Sequence, residues 1–279
     1  MRTVTAIRST RPEIVIATNP SLVLGFLLLA LRRCYHFVLV SDAHYLGVRA
    51  MHGNRLVQKL LDFHNSKVDL VIVTNDAHAT YLAEQGCRTY VCPDPLPRLT
   101  LDNSPTISLP QRSALLVCSF ADDEPYEAVF AAFSRLVERG YVLFVSGNYR
   151  KAHIDPREYP WVRFLGYVSE DKYHAYLRSC SVVIDLTKLE DCLVCGAYEA
   201  LALEKPLVLS RSRALTDYFG RAAVLTDNTT DSIMETVQQA HSQRDELISK
   251  VRDWIGTNER YMGERIAELR ARLHTLRDH

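Results

Sequence analysis

The residues best suited to chemistry lie between Glu190 and Pro206, in the run Glu-Asp-Cys-Leu-Val-Cys-Gly-Ala-Tyr-Glu-Ala-Leu-Ala-Leu-Glu-Lys-Pro. Two carboxylates, Glu190 and Asp191, precede Gly196, which opens a predicted helix with Glu199 in its first turn. A helix N-terminus presents unpaired backbone N–H groups and the positive end of a dipole, which suits a diphosphate. Carboxylates just ahead of such a helix, or in its first turn, are placed to accept hydrogen bonds from sugar hydroxyls. The plainer reading makes Glu190 and Asp191 a solvated acidic cap and Glu199 a partner of the helix dipole. Cys192 and Cys195 form a lone C-x-x-C with no second pair near it, which reads as turn cysteines before a redox or zinc pair.

The elements that must position these groups are strands alternating with helices. Apolar β-type runs are expected at 14–17, 37–40, 70–73 and 89–91, and again at 114–118, 141–145, 162–165, 182–186, 206–209 and 222–225. Helical patterns lie between them, with Gly86 and Gly140 as stops, and a helical, arginine-rich tail follows Ser232. The proline cluster Pro93-Asp-Pro-Leu-Pro97 and the polar stretch to Gln111 form the expected linker. This predicts an α/β protein of two Rossmann-like, doubly wound parallel-sheet domains. The expected divisions are 1–97, 98–245 and a helical tail at 246–279. In such sheets ligands sit at the carboxyl ends of strands, where the strand order reverses.

The stretch from about Ala114 to Asn228 resembles the donor-binding domain of the retaining GT-B glycosyltransferases. This is the large family that includes sucrose synthases and bacterial mannosyl- and glucosyltransferases. The likeness is carried by Asp191 and Glu199 at the family's acidic-x7-Glu spacing, by Glu199-Ala-Leu-Ala-Leu-Glu-Lys-Pro206, and by Gly166-Tyr167-Val168. Ser179-Cys-Ser181 stands where the family has a small-small-Asp turn. The resemblance implies that Glu199 binds the ribose hydroxyls and that Asp191, with Glu190 as the competing choice, contacts the donor sugar. It implies that backbone N–H groups around Val194, Cys195 and Gly196 hold the diphosphate, with Tyr167 and Val168 near the base. In the amino half, His44 after the strand ending Val40 resembles the family's strand-end histidine facing the donor sugar. Asn19-Pro-Ser-Leu22 ends the preceding strand and is a candidate lining of an acceptor cleft; His52, His64 and His78 are further histidines of the same half.

Two departures from the family pattern stand out. Where relatives place an arginine and a lysine after the domain's first strand, this chain has Ser119-Phe-Ala-Asp-Asp-Glu-Pro125. The phosphate-neutralising cations must then come from Arg150, Lys151 or Lys188. The family's opening strand–glycine–helix unit before the segment at Pro12 is also missing, so the amino-terminal domain is expected to be incomplete. A start upstream of Met1 is the simplest expectation, a partner or second copy covering the exposed edge another. The activity implied is a metal-independent, retaining transfer of a hexose from a UDP- or GDP-sugar, with no cofactor, to a polysaccharide or lipid-linked acceptor. The rivals are a binding or assembly protein that keeps the fold without turnover and, further off, a nucleotide-sugar epimerase.

Composition sets bounds on this reading. In 279 residues, 33 lysines and arginines balance 33 aspartates and glutamates, so no global field points to nucleic acid. Seven scattered cysteines read as reduced thiols of a cytosolic protein. The sequence after Arg2 is polar and carries no secretory pattern. The most apolar run, Leu22 to Leu31, is too short to span a bilayer and reads as a buried helix. The adjoining Arg32 and Arg33 suggest weak peripheral contact with the inner face of a membrane.

Overall fold

The computed structural model describes residues 2–18, 21–50, 53–99 and 105–278. Asn19, Pro20 and His52 therefore lie outside the described residues. The chain divides into two compact units, Met1–Asp94 with Glu259–His279, and Pro95–Asn258. The carboxy-terminal helical residues are divided between the two units at Asn258 and Glu259.

In the first unit the order is α1 (Arg2–Thr10), β1 (Ile14–Thr18), α2 (Leu22–Tyr35), β2 (Val38–Ala43), α3 (Tyr45–Val48), α4 (Arg55–Asn65), β3 (Leu70–Val73), α5 (Asp76–Glu84) and β4 (Thr89–Val91). The sheet is parallel throughout, in the order β1-β2-β3-β4. All four residues of β3 are buried, as a parallel strand covered on both faces requires. One face packs Leu28, Phe37, Leu39, Val71 and Leu82. The other face buries Val40, Leu70, Ile72 and Tyr90 under Leu269, Leu273 and Leu276 of the long helix α11 (Arg244–Asp278). The Tyr90 hydroxyl donates to the Arg265 carbonyl at 2.7 Å, and the Arg265 guanidinium donates to the Val91 carbonyl at 2.6 Å. The end of α11 is thereby clipped to β4.

One sequence reading of this unit is corrected. The run at Leu22–Leu31 is helical, but only Gly25 and Leu28 of α2 are fully buried, and Val23 is 81% exposed. A helix laid on one face of a sheet buries a stripe and not its whole circumference. The segment before β1 also forms a helix, α1, which no strong periodicity announces; only Ile7 of it is buried. β1 is the terminal strand of the sheet, with Ile16 half exposed.

The second unit runs β5 (Ser113–Leu116), α6 (Tyr126–Leu136), β6 (Val142–Ser146), β7 (Val162–Gly166), α7 (Glu170–Ser179), β8 (Val182–Asp185), α8 (Cys195–Ala202), β9 (Leu207–Ser210), α9 (Arg213–Phe219), β10 (Val224–Thr226) and α10 (Thr230–Ser242), then the first half of α11. Its six parallel strands lie in the order β10-β9-β8-β5-β6-β7. The chain steps outward from β5 through β6 to β7, then returns to the other side of β5 at β8. That reversal opens a crevice at the carboxyl ends of β5 and β8. β5, β8 and β9 are buried at every position. Phe130, Phe133, Leu143 and Val237 fill one side of the sheet, and Leu177, Leu201, Phe219 and Trp254 the other.

Candidate functional site

Local chemistry builds the crevice loop by loop. After β5 the chain turns through Phe120 at a positive φ of 61°. Such a residue in left-handed conformation lets successive backbone N–H groups converge into an anion-binding nest. In this chain the nest is filled from within. The Glu124 carboxylate accepts from the N–H of Ser119 at 3.0 Å, from the N–H of Ala121 at 2.7 Å and from the Ser119 hydroxyl at 3.2 Å. Gly147, just past β6, holds a neighbouring loop against this one. Its φ is 88°, and an added Cβ would sit 2.0 Å from the Cys118 carbonyl oxygen. Only glycine permits that approach.

The loop after β8 is fixed by three tethers. The Thr187 N–H donates to Ser210 Oγ at 2.9 Å, the Asn228 side-chain amide donates to the Thr187 carbonyl at 3.0 Å, and the Thr187 hydroxyl donates to Asp123 at 2.8 Å. Lys188 follows, exposed, with its ammonium donating to the Asp122 carbonyl at 2.9 Å. The acidic loop that looked unfit for phosphate therefore also holds one of the cations proposed for it.

Asp185 ends β8 and is buried beneath α8. The backbone N–H groups of Gly196 and Ala197 bear on its carboxyl, and a Cβ on Gly196 would come within 2.5 Å of Oδ2. Burial, then the charges of Glu124 and Glu199, push this carboxyl well above the usual range. The backbone N–H groups at the helix N-terminus oppose that rise. The Gly196 N–H is thus directed at Asp185 within the unit, and α8 is capped internally.

Glu199 lies partly buried in α8, and the Tyr173 hydroxyl of α7 donates to its Oε2 at 2.5 Å. Burial, followed by the Glu199 charge, drives the Tyr173 phenol far up, so it remains a donor. Asp191 lies partly buried on the loop leading into α8, while Glu190 is exposed and turned elsewhere. The Glu190 carboxylate accepts from the Arg213 N–H at 3.0 Å, which ties it to the first turn of α9. Of the two adjacent carboxylates, Glu190 has a structural task. Val194 is the N-cap residue of α8 and Cys195 its exposed first residue. Burial pushes the Cys192 thiol up to about 12, which disfavours thiolate chemistry in the C-x-x-C.

Beyond β6 and β7, Arg150 and Tyr167 line a cavity of about 410 Å³ together with Tyr149, Phe164 and Gly166. Tyr167 is 91% exposed, a ring presented to solvent. Val168 is partly buried, and Lys151 is exposed on the same short turn as Arg150.

In the other unit, His44 caps α3 at the carboxyl end of β2. Its Nδ1 lies 3.6 Å from Asp94 and its Nε2 3.9 Å from Asp42, which also accepts from the Thr18 hydroxyl at 3.1 Å. Burial raises the Asp94 carboxyl, opposed by His44. His64 is a core residue: its ring lies where a Cβ on Gly25 would come within 2.6 Å, and burial lowers its pKa. His78 is fully buried.

Sequence reasoning missed Asp185, Tyr173, Glu124 and Gly147 as parts of the site. Asp185 was read only as part of the strand expected at 182–186, and Gly147 after a strand was the one legible signal among them. Glu124 was read only as part of an acidic run.

No protein-family model matches this sequence, and no curated protein matches it significantly. Solved structures do. Sucrose-phosphate synthase from Thermosynechococcus elongatus superposes with a TM-score of 0.77 at 17% identity, covering 99% of this chain and 78% of that one. Anabaena HepE in complex with UDP gives 0.73 at 12% identity, over 97% of this chain and 81% of that one. An E. coli trehalose-6-phosphate protein bound with UDP-2-fluoro glucose gives 0.72 at 12%, over 97% and 75%.

The chain has the GT-B fold. Two parallel-sheet α/β domains with this likeness over almost the whole chain meet the expectation drawn from the sequence. In GT-B terms, the six-stranded sheet carries Asp191, Glu199 and the loop at Glu124, and the four-stranded sheet carries His44.

Proposed function

We propose that this GT-B chain transfers a hexose from a nucleotide-diphosphate sugar, UDP- or GDP-linked, to a polysaccharide or lipid-linked acceptor. The observation that carries the reading is Glu199. It is a carboxylate held by the half-buried Tyr173 at the fifth residue of α8, beside the crevice where the strand order reverses. A fixed carboxylate there is an acceptor for two adjacent ribose hydroxyls. Asp191, on the loop before the helix, is assigned the hydroxyls of the donor sugar. Tyr167 and Arg150 share a cavity at the ends of neighbouring strands, which suits a base and the charge beside it. That solved structures of this fold carry UDP or UDP-glucose supports the class of donor.

The proposed chemistry keeps the anomeric configuration and needs no metal. Cleavage leaves a nucleoside diphosphate, so stabilising that leaving charge is the main demand on the protein. Backbone N–H groups at Val194 and Cys195, with Arg150, Lys151 and Lys188, are the proposed sources. His44, polarised by Asp94 and Asp42, is assigned a donor hydroxyl and the developing charge at the anomeric carbon. For a lipid-linked acceptor, α4 offers a suitable face: Leu56, Leu60 and Phe63 are exposed along one side, next to Arg55 and Lys59.

A second reading, donor binding without turnover, is favoured by one observation. The nest after β5 is filled by the Glu124 carboxylate, so an anion must displace it. The two readings separate on release of nucleoside diphosphate from UDP- and GDP-sugars. Transfer predicts release that requires acceptor and is lost in Glu199→Gln. Binding alone predicts heat on titration of the same sugars with no release under any acceptor.

A further inference from the structure

A second cavity, of about 650 Å³, opens at the opposite edge of the six-stranded sheet, at the amino ends of β5, β8 and β9. Its lining includes Arg178, Lys205, His241 and Arg244, and also Asp245 and Glu246. Lys205 is the unusual member. It is 93% buried by complement of its 7% exposure, and its ammonium donates to the Arg178 carbonyl at 2.8 Å. That one acceptor serves a group with three N–H donors. Among the described residues no carboxylate lies within ion-pair distance of Lys205 or of Arg178. A buried ammonium without a counter-ion is costly, and burial accordingly lowers its pKa.

Neither acidic residue of the lining pairs with Lys205. Glu246 pairs with Lys250 at 2.7 Å, and the Asp245 side chain is 98% exposed and only 3.6 Å from Arg244. The first turn of α11 adds backbone N–H groups at Arg244 to Glu246 and the positive end of a 35-residue helix. His241 Nδ1, on the same wall, is buried without a hydrogen-bond partner. Arg112 and Arg244 both hold this imidazole down after burial does. Cavity, buried cation, two arginines and a helix N-terminus together favour negative charge.

We propose that this cavity binds a small dianion, phosphate or the phosphate group of a monoester, on Lys205, Arg178 and Arg244. The site stands apart from the crevice and does not depend on the proposed transfer. Its volume exceeds one phosphate, which leaves room for the organic part of a monoester.

The test uses the full chain, titrated calorimetrically with inorganic phosphate and, separately, with glycerol 3-phosphate, against sodium chloride of equal ionic strength. The expected result is one saturable site, weakened about tenfold by Arg178→Gln or Arg244→Gln, the loss of one charge-assisted contact. Lys205→Met should abolish it; if that variant does not fold, the two arginine variants decide. Tighter binding of the monoester identifies it as the natural class, and equal binding identifies free phosphate. Binding no stronger than that of chloride, or undiminished in the Arg178→Gln, Arg244→Gln double variant, overturns the proposal. UDP titrated into the same variants keeps the two sites separate, because the arginine variants should bind UDP as the parent does.

Discussion

Removing the Glu124 carboxylate should weaken the fold and strengthen nucleotide binding at once. Besides the weak contact from the Cys118 thiol at 3.4 Å, three donors now serve that carboxylate: the N–H groups of Ser119 and Ala121 and the Ser119 hydroxyl. The residues are half-exposed, so each bond contributes about 0.5–1 kcal/mol, in all about 1.5–3 kcal/mol. In Glu124→Ala the unliganded protein loses that amount, a fall of about 3–10 °C in Tm for a domain of this size. A diphosphate that uses the same donors no longer has to displace a carboxylate, so UDP affinity should rise by about 10- to 100-fold. Glu124→Gln, which keeps a neutral acceptor, should show smaller changes of the same signs. Differential scanning calorimetry and isothermal titration with UDP read the two quantities on one sample. A lowered Tm with unchanged or weaker UDP binding would refute the reasoning, because the nest would then not be where the phosphates bind.

Other outcomes follow from the same geometry. Tyr173→Phe removes the donor to Glu199 and should weaken UDP binding about tenfold while costing about 1 kcal/mol of stability, measured by titration and urea unfolding. Gly147→Ala forces a Cβ onto the Cys118 carbonyl at a positive φ and should cost upwards of about 2 kcal/mol; an unchanged urea midpoint would count against the close approach. Asp185 binds its proton more tightly folded than unfolded. Stability should therefore fall as pH rises from the ordinary carboxylate range towards the raised folded value, by up to about 1.4 kcal/mol per unit. Asp185→Asn should flatten that slope; an unaltered slope between pH 5 and 8 would place the proton elsewhere. Changing Leu56, Leu60 and Phe63 together to serine should abolish co-sedimentation with vesicles containing anionic lipid, provided the parent sediments.

Much of this fold was legible because parallel strands covered on both faces spell unbroken apolar runs. Leu70–Val73 and Val182–Asp185 announce themselves, and Gly86 and Gly140 mark the ends of helices. Glu199 was expected in the first turn after Gly196, but α8 begins at Cys195 and holds no acidic residue in its first turn, so Glu199 lies just beyond it. The carboxylate pair could not be resolved, since Glu190 and Asp191 differ only in where a loop points them. The tie from Glu190 to the Arg213 N–H is a contact across 23 positions. Glu124 was hidden for a related reason: a side chain that folds back onto its own loop leaves no periodic trace. Asp185 looked like a strand end, and the upward push on its carboxyl comes from burial by α8, a tertiary fact. α2 was misjudged because hydrophobicity measures what a helix can bury, and its neighbours decide how much it does.

The central claim is that Glu199 marks a nucleotide-sugar site, and calorimetric titration of UDP-glucose and GDP-glucose into the full chain tests it most directly. The account predicts saturable heat for one of the two donors and a loss of at least about tenfold in affinity in Glu199→Gln, with the fold of the variant intact by circular dichroism. Absence of heat with both donors, or equal affinity in the variant, would contradict it.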